Sequence, residues 1–171
     1  MVANLTFGKK KWLPLFEQMS KISQKSQQLK DQLIQLIDAD TDSFKVVIEA
    51  YNMPKKTENQ IIDRTTAIDY AMKEATNIPF KTLTCCRNIM NLTLEAAQHG
   101  NPNSISDAGV SGEMANAGAE SAALNIFINL KEIEDNKFCK KMNQNTHLIL
   151  DETNLLLIEI RKVVSRVLNN A

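Results

Sequence analysis

Apolar residues recur at steps of three and four along almost the whole chain, and this spacing limits the fold more than any other feature. The series Leu29, Leu33, Leu36, Phe44, Val47, Tyr51 keeps it on both sides of one gap, which falls at Asp40. That period sets one face of an α-helix against a core. Five glycines and four prolines in 171 residues are too few for the many tight turns of a sandwich or barrel. With 43% hydrophobic and 23% charged residues the chain can bury a core and is not predominantly disordered. Its 171 residues fit a single domain, 1–171.

The spacing predicts an all-α bundle of about five helices. The first begins near Pro14 and ends at Asn52-Met53-Pro54. A second opens on the capping box Thr57 to Gln60, buries Ile61, Ile68, Met72 and Ala75, and breaks or kinks at Asn77-Ile78-Pro79. The third runs from Pro79 to His99-Gly100 and carries Leu83, Cys86, Met90 and Ala97 inward. The fourth is unusual, because residues 108–123 hold six Ala, three Gly and two Ser. Small side chains permit close helix approach, which marks this segment as the centre of the bundle. The fifth starts near Asp135 and runs to the end along Phe138, Met142, Ile149, Leu156 and Ile160.

Several function classes drop out. Twenty basic and twenty acidic side chains cancel, so the chain lacks the electrostatic footprint of a nucleic-acid or anionic-membrane binder. Cys85, Cys86 and Cys139 are odd in number and have no metal-ligand spacing, and His99 and His147 have no evident partner. No apolar run is long enough to span a bilayer, and the charges of the first ten residues follow the apolar part, the reverse of a secretion signal. The expected location is the cytoplasm.

Three polar features remain. At 100° per residue, Asp40 falls on the apolar line of Leu33, Leu36, Phe44 and Val47, and is expected to point inward. A carboxylate against an apolar wall has its ionised form disfavoured, which suits it to proton transfer near neutral pH. The alternatives are a helix cap at a break, or a partner for a lysine of another helix. On the fourth helix Asp107, Ser111, Gly118, Asn125 and Asn129 form one stripe. Buried amides must find partners, so Asn125 and Asn129 either hold a ligand rich in donors and acceptors or tie adjacent helices together. Asp107 could equally sit in a first turn after a Ser104 cap. The run Lys9-Lys10-Lys11 is either a solvated face or a binder of carboxylates.

Five phrases in order carry a resemblance: residues 1–10 (MVANLTFGKK), 36–44 (LIDADTDSF), 53–57 (MPKKT), 100–110 (GNPNSISDAGV) and 125–130 (NIFINL). Together they resemble the formimidoyltetrahydrofolate cyclodeaminase and methenyltetrahydrofolate cyclohydrolase family. The resemblance implies an all-helical homodimer that acts on a one-carbon-bearing tetrahydrofolate, with no cofactor beyond that substrate carrier. It implies that Asp40 donates and accepts the proton in catalysis, that Asn101, Asp107, Asn125 and Asn129 hold pterin and imine nitrogens, and that Lys9 and Lys10 meet the glutamate tail. The family also has an additional first helix after a Gly-Gly-Gly-Ser turn, and the sequence shown starts where that helix would be ending. The alternative is a noncatalytic helical dimer or partner subunit that keeps the family scaffold.

Overall fold

A computed structural model describes residues 1–6 and 10–169. The described residues form five α-helices and no strand: α1 Val2–Thr6, α2 Phe16–Tyr51, α3 Glu58–His99, α4 Ile105–Leu130 and α5 Asn136–Asn169, with single 3-10 segments at Lys10–Leu15 and Pro102–Ser104. α2 starts just after Pro14 and runs without interruption through Asp40 to Asn52. This removes the reading of Asp40 as a cap. Thr57 and Gln60 form the reciprocal capping box that opens α3, an arrangement worth about 1 kcal/mol.

The expected break at Pro79 does not occur, because α3 continues through it for 42 residues. Pro79 has no N–H to give to Ala75 O, the carbonyl four residues back. That carbonyl is instead met by Asn129 Nδ2 from α4 at 3.4 Å. The bond left open by a proline in one helix is thus closed by an amide from its neighbour.

α3, rather than the small-residue helix, is the centre of the bundle, packing against α2, α4 and α5. α4 lies closest to it, and the small side chains make that possible. A Cβ on Gly118 would stand 3.0 Å from Cys86 Sγ on α3, and one on Gly112 would stand 3.0 Å from Ile160 Cγ2 on α5. Ile160 is fully buried and has no space to retreat. Gly112→Ala should therefore lose more by overpacking, about 1–3 kcal/mol, than the roughly 0.5–1 kcal/mol it gains in helix propensity. The expected result is a Tm lower by a few degrees in thermal denaturation; a rise would show that the α4–α5 contact is looser than described.

α5 is capped by Asp135, whose Oδ1 accepts from Lys137 N at 3.1 Å and Phe138 N at 3.0 Å. These backbone donors, with Lys73 on its other oxygen, hold the Asp135 carboxyl below the usual range. Three buried threonines inside the bundle, Thr76, Thr146 and Thr153, return their hydroxyls to the carbonyls of Met72, Met142 and Leu150. Their burial leaves no donor unsatisfied.

The apolar period is only partly covered within the chain. Val47 and Met72 are buried, yet Phe44 on the same line of α2 is 62% exposed and Ile61 on the line of α3 is 51% exposed. The sequence expectation of burial at Ile61 and along Phe44 is corrected: the period sets their direction, but no described element lies over them.

Candidate functional site

Contacts between the helices fix their relative heights. α3 and α4 run antiparallel, with Thr93 Oγ1 2.8 Å from Ser111 Oγ, Gly118 against Cys86 and Asn129 on Ala75 O. α2 and α3 are also antiparallel, with Cys85 Sγ on Gln32 Oε1 and Arg64 on Tyr51 O. Following both registers, Asp40 of α2 stands at the height of Asn125 and Asn129 of α4. α2 and α4 both pack against α3, so Asp40 and the two amides share a height on the helices beside it. Asp107 stands level with Ala97 of α3 and with the first turns of α2. About 20 residues of helix separate it from the height of Asp40, roughly 30 Å.

Asp40 itself is exposed. The expectation that it points inward is corrected, as at Phe44: the helix line it follows is apolar, but no described element lies over it. No ion pair joins Asp40 to a lysine among those residues. Asn125 is exposed as well, which corrects its expected inward placement. Asn129 is half-buried with its Nδ2 on α3, the helix-tying alternative.

Asn101 is buried and fully occupied by the chain. Its Nδ2 donates to Leu5 O at 3.2 Å, its Oδ1 accepts from Asn103 N at 3.1 Å, and its own N–H donates to Thr6 Oγ1 at 3.0 Å. These bonds lock α1 to the α3–α4 turn and engage both amide atoms of Asn101. Ser104 does not cap α4 with its side chain, because its hydroxyl donates to Asn101 O. Lys9 lies outside the described residues, and so does the side chain of Lys10.

A cavity of about 530 Å³ opens beside α1. It is walled by Val2, Ile22, Leu33, Ile37, Leu92 and Asp107 among others. Its lining is mostly apolar and begins at α1. Asp107 is half-buried there and makes no hydrogen bond or ion pair with any described residue. The cavity reaches Ile37 and stops one turn short of Asp40. Only Asp107 and Ser111 of the polar stripe on α4 line it.

Cys85 and Cys86 are buried, as small apolar residues. Burial pushes the Cys86 thiol up to about 11, with Cys85 beside it adding to the rise, so neither is a nucleophile at neutral pH. The sequence reading missed the repair of Pro79 by Asn129. A polar side chain at a helix contact opposite the residue four before a mid-helix proline is the signal that could have found it.

A carboxylate on one helix and amides at the same height on another, both packed against a third, define a class: an all-helical protein that arrays polar, hydrogen-bonding side chains along its bundle. Residues 1–147 match the model of formiminotransferase-cyclodeaminase, and the chain belongs to that family. It is 36% identical over 169 residues to methenyltetrahydrofolate cyclohydrolase of Methylorubrum extorquens, covering 99% of this chain and 81% of the relative. It is 30% identical over 152 residues to formimidoyltransferase-cyclodeaminase of Gallus gallus, covering 89% of this chain but 28% of that protein. The crystal structure of formiminotetrahydrofolate cyclodeaminase from Thermotoga maritima superposes with a TM-score of 0.87 at 25% identity, covering 98% of this chain and 80% of that one. The all-helical fold expected from the apolar period is that of this family. No helix among the described residues is long and apolar enough to cross a membrane.

Proposed function

We propose that this chain is a cytoplasmic folate one-carbon enzyme that acts as a homodimer and closes or opens the 5,10-methenyl bridge of tetrahydrofolate, with Asp40 as the proton carrier. The observation that supports this reading is the common height of Asp40, Asn125 and Asn129 on the two helices that pack against α3. N5 and N10 of the substrate are two carbons apart, so the groups that serve them must stand close together. Asp40 and the two amides meet that requirement in height, whereas Asp107, roughly 30 Å along the bundle, does not. Asp107 keeps a role only at a remote part of a ligand, and Lys9 and Lys10 are assigned the carboxylates of the glutamate tail.

In the cyclodeaminase direction, N10 attacks the amidine carbon of 5-formimidoyltetrahydrofolate and the N10–C bond forms. Asp40 accepts the N10 proton and returns it to the exocyclic nitrogen. The C–N bond to that nitrogen then breaks, ammonia leaves, and the 5,10-methenyl bridge is complete. In the cyclohydrolase direction water adds to the methenyl carbon, and the same carboxylate takes a proton from it as the ring opens. The amide groups of Asn125 and Asn129 orient the ring nitrogens. No metal or redox cofactor enters either sequence of steps.

The test incubates the purified protein with 5-formimidoyltetrahydrofolate and, separately, with 5,10-methenyltetrahydrofolate, following the methenyl chromophore. Growth of the signal with the first identifies a cyclodeaminase, and loss with the second above the spontaneous rate identifies a cyclohydrolase. Silence in both overturns the enzymatic reading in favour of a noncatalytic scaffold, a role that the structural bonds of Asn101 and Asn129 would also suit.

A further inference from the structure

Asn125 and Asn129 stand one turn apart on α4, and their amides are held differently. Asn125 is exposed, and its side chain makes no hydrogen bond with a described residue. Asn129 is half-buried, and its Nδ2 donates to Ala75 O of α3 at 3.4 Å. Ala75 is buried, so its carbonyl needs a partner from within the protein. The helical partner is missing because Pro79, four residues on, has no N–H, and the pyrrolidine ring crowds the same carbonyl. Pro79 is itself buried, inside a helix that continues past it.

We infer that Pro79 is a positioning residue: by withholding its N–H it commits Asn129 Nδ2 to α3, and so presents Asn129 Oδ1 as a fixed acceptor for an N–H of the substrate. The amide carries its donor and its acceptor on separate branches of one planar group. Anchoring the donor therefore settles where the acceptor lies, and Oδ1 has no partner among the described residues. An aspartate in this place would set an oxygen against the oxygen of Ala75, so the position distinguishes an amide from a carboxylate. A free amide such as that of Asn125 turns either end to a ligand and loses this freedom on binding. Asn129 has already lost it, which favours affinity.

The chemistry of the ligand follows from the exposed end. An acceptor suits a nitrogen that carries a hydrogen, on the reduced ring or on the one-carbon unit, and disfavours an oxygen that offers only lone pairs. This consequence rests on the folate reading; the coupling of Pro79 to Asn129 does not.

Two measurements on the full chain test the inference. Thermal melts compare wild type, Pro79→Ala, Asn129→Asp and the double variant. Asn129→Asp is expected to lower Tm in the presence of Pro79, and by less than about half as much in the Pro79→Ala background, where a backbone N–H meets Ala75 O again. Equal losses in the two backgrounds overturn the coupling. Steady-state kinetics, with the folate that wild type turns over, then compare wild type with Pro79→Ala and Pro79→Val. Both variants restore the N–H, and valine fills the buried space better than alanine, so a shared change reports the N–H rather than a cavity; if one misfolds, the other decides. The expected result is a KM raised roughly 3- to 10-fold, as for the loss of one hydrogen bond, with kcat within about twofold of wild type. Tm should stay at or above wild type, because a proline inside a helix is unfavourable. A merely structural Pro79 would lower Tm and leave KM unmoved, and an unchanged KM in both variants overturns the positioning role. A wild type that turns over no folate defeats the proposed function, while the melts still decide whether Pro79 commits the Asn129 amide.

Discussion

Asp40→Asn is expected to abolish turnover of the folate substrate while leaving the helical bundle intact. The side chain is exposed at the middle of a continuous helix and makes no ion pair or hydrogen bond with another described side chain. Its replacement therefore removes no contact on which the fold depends, and surface changes of this kind stay within about 0.5 kcal/mol. Asparagine keeps the shape and one oxygen but cannot take a proton from N10 and pass it on. Loss of a positioned proton carrier lowers rates by about 10²–10⁴-fold. The measurement is kcat with the methenyl chromophore, alongside a thermal melt. An active Asp40→Asn with an unchanged melt would remove Asp40 from the chemistry.

Asn101→Ala is expected to give the opposite pattern, a large loss of stability with little change in kcat for the protein that remains folded. Its amide holds Leu5 O and Asn103 N at a buried junction of three segments. Removing it deletes two part-buried hydrogen bonds, at a cost of about 1–3 kcal/mol. α1 would lose its anchor to the α3–α4 turn and fray from the cavity it borders. Denaturant unfolding measures the loss, and initial rates at low temperature test the chemistry. A stable variant with a raised KM would instead return Asn101 to the ligand.

These two residues illustrate what could be read without coordinates. Both fall in phrases that carry the family resemblance, and resemblance alone gave both a part in the site. The bonding pattern separates them: one side chain is consumed by the chain and the other is left free. Asn129 is divided between the two fates, since its Nδ2 answers the carbonyl that Pro79 leaves open while its oxygen has no partner among the described residues. Sequence reasoning broke the helix at Pro79 because a proline removes a donor. It could not see that a neighbouring helix brings a replacement.

The sequence by itself determined the helical class, the ends of α2, the capping box of α3 and the close-packed character of α4. All of these depend on local spacing, which the chain carries in its order of residues. Only the tertiary structure decided that α3 is continuous and central, that Asp107 and Asp40 stand at opposite ends of the bundle, and that Phe44, Ile61 and Asp40 lack cover. Those outcomes depend on which helix lies beside which and at what height. A periodic stripe specifies that a face seeks a partner, but the partner's identity and reach are properties of the packed molecule.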